Sequence, residues 1–193
     1  MICKSIGVIH SPFQAADGCP IQPRAAKGVE GTVEVLPALT GGLKDLQGFE
    51  RIWLIYWFNR SSFDKDKLVV TPYLDKTAHG VFATRAPARP NPIGISPVRL
   101  LEVCGNVLKV CDVDVVDGTP LLDIKPYVPQ FDCFVEARSG WVGNRVIEGK
   151  VADGRFARSC GGRFGVLEGK SRPVRILRGR SSPPYLGTKS PGR

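Results

Sequence analysis

Apolar and polar side chains alternate at period two through much of the first 130 residues. The alternation is clearest in TVEV (32–35), LKVCDVDVV (108–116) and LLDIKPYV (121–128), where one face of a strand would meet a core and the other water. Adding the other apolar, β-rich runs gives strands predicted at 5–10, 31–37, 51–58, 80–84, 95–104, 107–116 and 121–128. Gly, Pro, Asn and Asp punctuate them, as in CGN and DGTP. The run WLIYWF (53–58) is apolar at every position and reads as a strand buried on both faces. One short helix is predicted over ALTGGLKDLQGF (38–49), with Gly48 to end it and Gly41 and Gly42 to weaken it. Many short strands with little helical periodicity predict an all-β barrel or sandwich to about residue 136.

Beyond FVEARSGW (134–141) the pattern fades. GNRVIEGKVADGRF (143–156) has weak periodicity, and 161–193 is rich in Gly, Pro, Ser and Arg, a composition expected of a flexible segment. The expected division is a barrel domain over 1–140 and a partly disordered extension over 141–193. Charge sharpens that division. The chain of 193 residues has a net charge of +9, yet residues 1–154 balance, and the excess lies in ten basic residues after position 154 set against Glu168 alone. A basic tail on a neutral body points to a polyanion such as nucleic acid, or to a segment that is merely solvated.

The six cysteines form no CxxC pair, and His10 and His79 are the only histidines, so no metal cluster at usual spacing is expected. Neither histidine sits beside a nucleophile elbow, and neither a GxGxxG after a strand nor a GxxxxGK[ST] occurs. The opening MICKSIGVIHSPF lacks a long apolar stretch and WLIYWF is too short for a bilayer, which predicts a cytoplasmic protein with free thiols and no membrane partner. What remains is a cationic corner, ATRAPARPNPIGISPVRL (83–100). There Pro87, Pro90, Pro92 and Pro97 fix the backbone around Arg85, Arg89 and Asn91, with Asp117 and Asp123 in other stiffened segments near strand ends. A loop so restricted loses little entropy on binding a ligand, although proline corners also serve only to turn a chain.

GVFATRAPARPNPIGISPVRLLEV (80–103) and VDVVDGTPLLDIKPYVPQFD (113–132) strongly resemble the TsaA-like, or TrmO, family of S-adenosylmethionine-dependent tRNA methyltransferases. IGVIHSPF, PIQPRAAKGVEGTVEV and LQGFERIWLIYWFNRS fit the same family in the same order, so the likeness covers about residues 4–155. The resemblance implies a small antiparallel β-barrel that binds S-adenosylmethionine without a Rossmann domain, as a homodimer with cofactor sites near the subunit interface. It implies methylation of the exocyclic amine of threonylcarbamoyl-modified adenosine beside a tRNA anticodon. It places cofactor contacts at Pro20, Ile21 and Gln22, at Asn59 and Arg60, at Arg85 and Ile95, and at Asp117, Gly118 and Thr119. The chain departs from longer members, which carry a second domain with an Asp-Pro-Arg-Pro-x-Tyr motif, where it has only SSPPYLG (181–187).

Methyl transfer from a sulfonium is an in-line displacement needing no metal, so alignment and exclusion of water are the protein's main tasks. Arg85 suits the methionyl carboxylate as a bidentate partner, Asp117 suits ribose hydroxyls or the cofactor ammonium, and Arg89 and Arg99 suit RNA phosphate. Asn91 is the candidate acceptor for an amine hydrogen, although Asn before Pro is also a common turn former. Two other functions fit the same residues: an S-adenosylmethionine-binding sensor barrel, and a nonenzymatic RNA-binding barrel relying on the basic tail.

Overall fold

The computed structural model describes residues 3–157. Eight strands run through them: β1 Gly7–His10, β2 Glu30–Val35, β3 Arg51–Trp57, β4 Val69–Val70, β5 His79–Gly80, β6 Ile93–Cys104, β7 Val107–Cys111 and β8 Thr119–Pro126. Six of them close an antiparallel barrel in the order β1-β2-β7-β6-β3-β8, with β4 and β5 paired separately. The period-two pattern sets the register. On β2, Val33 and Val35 point inward, and on β3 Ile52, Leu54 and Tyr56 do so; Leu108 and Val110 of β7 and Leu121 of β8 complete a core that also takes Ile9, Val98, Val113 and Val115. Closure comes from β1 pairing with both β2 and β8, Ile9 standing opposite Val33 and Thr119.

Four expectations are corrected. WLIYWF is not buried on both faces: Trp53, Ile55 and Trp57 are only half-buried, on the outer surface of the barrel. There Ile55 stands opposite Ile95 and Trp57 opposite Ile93. Over 38–49 no α-helix forms. Two 3-10 turns, Pro37–Leu43 and Leu46–Gly48, are separated by Asp45 in the left-handed region at φ 65°. The run 80–84 is mostly a 3-10 turn, Val81–Ala83, because Val81 drops into a buried site instead of continuing a ladder. The strand over 107–116 stops at Cys111. Asp112 turns the chain with φ 69° while its carboxylate accepts from Gly28 N–H and pairs with Arg51 and Arg99. A short α-helix, α1 Pro129–Asp132, follows the barrel.

Residues 139–157 return to the barrel and pack on it. Ala152 N–H donates to Cys19 O at 2.7 Å and Gly18 N–H to Ala152 O at 2.9 Å, while Pro20 bridges Val151 and Ser61 bridges Ala157. The basic segment past residue 157, on which the tail expectations rest, lies outside the described residues, as does Cys160. Cys3, Cys19, Cys104, Cys111 and Cys133 are free thiols. Among the described residues no group of three metal-ligating side chains occurs, and no helix is long and apolar enough to cross a membrane.

Candidate active site

A cavity of about 630 Å³ opens where β3 ends and β6 and β8 begin. Its size is that of a site for a nucleoside-sized ligand. The stiffened corner forms one wall through Thr84, Arg85, Ala86 and Arg89, and Pro20, Ile21 and Gln22 form another. Trp141, Ile147 and Phe156 of the returning segment also line it. Trp141 is held in three ways. Its Nε1–H donates to Ala83 O at 2.7 Å, its ring stacks on His79 with centroids 4.4 Å apart, and the Arg145 guanidinium lies 5.6 Å over it. Asp75 accepts from both His79 and Arg145, tying the latch to the body.

Most of the residues implied by the sequence resemblance converge here. Pro20, Ile21, Gln22, Asn59, Arg60, Arg85, Ile95 and Thr119 all line the cavity. Arg85 Nη1 donates to Gln22 Oε1 at 2.8 Å, which joins the two walls and leaves the rest of the guanidinium fork for an anionic ligand. Asp117 and Gly118 are outside the lining and act on its rim. Arg60 donates to Asp117 O and Gln14 O, while the Asp117 carboxylate accepts from Ser11 N–H and lies 3.1 Å from His10 Nδ1. Gly118 turns the chain at φ 73°, close under the Arg60 guanidinium.

The other candidates make different contacts. Arg89 lines the cavity but turns its guanidinium to its own loop, donating to Thr84 O at 3.2 Å. Arg99 is outside the cavity and paired with Asp112, Nε to Oδ2 at 3.0 Å. Asn91 is exposed and outside the lining; its backbone carbonyl accepts from Ile93 N–H. Asp123 also lies apart, paired with Lys125.

The sequence reading missed the cavity's polar floor. Asp114 Oδ1 accepts from Ser96 Oγ at 2.6 Å, and Ser96 Oγ is 3.0 Å from the Tyr56 hydroxyl. Ser96 is fully buried and Tyr56 is 3% exposed. Burial pushes the Asp114 carboxyl up to about 7, opposed by the Ser96 hydrogen bond and the Arg85 charge. Burial, helped by the Asp114 charge, pushes the Cys19 thiol up to about 12, so this cysteine stays protonated. The signal was present in VDVVD (113–117). A carboxylate set between two core valines, Val113 and Val115, requires a polar partner or a cavity, and Asp114 has both. Tyr56 reaches Ser96 because position 94 is glycine: a Cβ there would stand 2.2 Å from the Tyr56 ring.

The profile of the tRNA-methyltransferase O N-terminal domain, TrmO_N, matches residues 8–133. A probable S-adenosyl-L-methionine-binding protein of Pyrococcus abyssi is 57% identical over 159 residues, covering 81% of this chain and 85% of that protein. The tRNA (adenine(37)-N6)-methyltransferase of Escherichia coli K12 is 35% identical over 146 residues, covering 72% of this chain and 62% of the enzyme. A crystal structure of TrmO from Pseudomonas aeruginosa superposes with a TM-score of 0.60 at 38% identity, covering 72% of this chain and 61% of that one. The chain thus spans most of the archaeal relative but less than two thirds of the bacterial enzymes. With the profile covering all but the first residue of the barrel strands and most of the cavity walls, the chain belongs to the TrmO N-terminal domain family.

Proposed function

We propose that this protein is an S-adenosylmethionine-dependent tRNA methyltransferase that methylates the exocyclic nitrogen of adenosine beside the anticodon, with threonylcarbamoyl-adenosine as the preferred substrate. The observation that carries this reading is the cavity itself. Its walls include the PIQ, NR and ATRAP segments and Thr119 of the family-matched region, and its volume of about 630 Å³ suits S-adenosylmethionine with room for an incoming base. When bound, S-adenosylmethionine supplies an activated methyl group for direct displacement. Arg85, pre-aimed by Gln22, takes the methionyl carboxylate. Thr119 and Asn59 offer hydrogen-bonding groups to the ribose and adenine, and Asp117 acts through Arg60. Arg89 stiffens the corner from within, and Asn91 stands exposed outside the lining. The reaction takes place in the cytoplasm, where tRNA is found.

The working unit in this reading is a homodimer. Ile55, Trp57, Ile93 and Ile95 form a continuous apolar strip on the outer face of β3 and β6, beside the cavity, and Phe82 adds a largely exposed ring at its lining. Transfer of a tritiated methyl group from S-adenosylmethionine to bulk tRNA tests the activity. Label is expected on tRNA carrying the threonylcarbamoyl group and not on tRNA lacking it. Binding of S-adenosylmethionine without transfer to either RNA would make the protein a sensor, and absence of binding would make it an RNA-binding barrel.

A further inference from the structure

Two aspartates two residues apart meet opposite fates. Asp112 is enclosed by Arg51, Arg99 and the Gly28 N–H, and its charge is answered within the protein. Asp114, in the cavity wall, has one side-chain donor, Ser96, and forms no ion pair among the described residues. Ser96 has a single hydroxyl hydrogen, which goes to Asp114, so the Tyr56 hydroxyl is the donor to Ser96 Oγ. The result is a directed chain from Tyr56 through Ser96 to one oxygen of Asp114. The other oxygen keeps its accepting capacity for a ligand in the cavity.

We propose that Asp114 is the proton acceptor of methyl transfer, positioned by the Tyr56–Ser96 chain. This rests on the methyltransferase reading above and adds a catalytic residue to it. The exocyclic nitrogen of the adenine uses its lone pair to form the new N–C bond while the C–S bond of the sulfonium breaks. The electron pair of that bond stays on sulfur as a neutral thioether, and the hydrogen of the methylated nitrogen passes as a proton to the Asp114 carboxylate. Opening the cavity to water then returns it to solvent.

The surroundings suit that role. The ionisable and charged groups facing Asp114 are Cys19 from the N-terminal loop, Tyr56 from β3 and Arg85 from the corner, with the neutral Ser96 from β6. Tyr56 and Cys19 both stay protonated, because burial raises each of them. A carboxyl raised to about 7 is half ionised at neutral pH and is a stronger base than an ordinary aspartate. Because the acceptor must be ionised, the rate should rise with pH. In kcat/KM the rise belongs to the free enzyme and centres near 7, whereas in kcat it moves lower, since the bound sulfonium and ammonium favour the carboxylate.

The test uses the full chain, tRNA carrying the modified adenosine, and the variants Asp114→Asn and Asp114→Glu. Asp114→Asn should retain S-adenosylmethionine affinity by calorimetry, lower the single-turnover rate by about 10²–10⁴ and lose the acidic limb of kcat/KM. Asp114→Glu should recover part of the rate with a displaced limb. In the wild type, carbon-13 carboxyl resonances should place the Asp114 titration near 7, a readout independent of turnover. An Asp114→Asn variant with the wild-type rate and pH limb overturns the proposal, as does titration in the ordinary carboxylate range. Loss of cofactor affinity with an intact rate at saturation also overturns it, making Asp114 a counter-ion to the cofactor ammonium. A wild-type protein that methylates no tRNA overturns the methyltransferase reading itself, and the proposal with it, before any variant is compared.

Discussion

Replacing Trp141 by Ala removes the fastening of the returning segment while leaving the barrel intact. Three interactions disappear: the hydrogen bond to Ala83 O, the stack on His79 and the cation–π interaction with the Arg145 guanidinium. The hydrogen bond is worth about 1 kcal/mol, the stacked pair about 1 and the exposed cation–π interaction about 0.5. Their sum of about 2.5 kcal/mol opposes opening of 139–157, and none of it holds the barrel strands together. If the cofactor binds only when this wall is closed, its affinity falls by at most the change in the closed population, which for about 2.5 kcal/mol is about seventyfold. Calorimetry with S-adenosylmethionine should therefore show weakening between about tenfold and seventyfold, and hydrogen exchange should show faster amide exchange over 139–157 with little change in β1–β8. Unchanged affinity together with unchanged exchange in a folded variant would refute the latch. A collapse of barrel protection would refute the separation of wall and barrel energetics.

Arg85→Ala should weaken S-adenosylmethionine binding by about tenfold to a hundredfold, because a charge-assisted pair is removed, and Arg85→Lys should recover part of it; equal calorimetric affinities for all three proteins contradict the assignment. Gly94→Ala should lower the thermal midpoint, since the added methyl must displace the buried Tyr56 ring; the cost is about 1–3 kcal/mol and the Tyr56–Ser96 hydrogen bond is disrupted with it. Deleting residues 158–193 removes nine basic residues and Glu168. Titrations of tRNA at several salt concentrations should then show weaker binding with a slope reduced by roughly 0.7–0.9 for each phosphate no longer neutralised, while cofactor affinity is unchanged.

The strands that alternate cleanly were legible in the sequence. Val33, Val35, Leu108, Val110 and Leu121 all point where period two puts them. WLIYWF misled because its outward positions are apolar for a reason local pattern does not contain: Trp53 packs against Tyr127 with the rings tilted, and Ile55 and Trp57 extend the outer strip. At 80–84 and 38–49 the chain follows tertiary demands, a buried site for Val81 and a left-handed Asp45, over which a composition window averages. The convergence of the PIQ, NR and ATRAP segments on one cavity was readable through the resemblance. The third wall was not, because 139–157 gains its order by hydrogen-bonding to Cys19 and Ala83 and has no amphipathic pattern of its own. Asp114 was overlooked for the turn residues Asp117 and Asp123, which are conspicuous in sequence yet spend their side chains on rim and surface contacts.

Closure of the six-stranded ring governs how other macromolecules can approach this protein. Every barrel strand is hydrogen-bonded to two neighbours, so no strand of the ring presents a whole unpaired edge to an extended peptide. A partner, whether RNA or a second copy, therefore meets the ring mainly through side chains. Recognition of that kind evolves one residue at a time, so the same ring can exchange one partner for another without any change in its backbone hydrogen bonding.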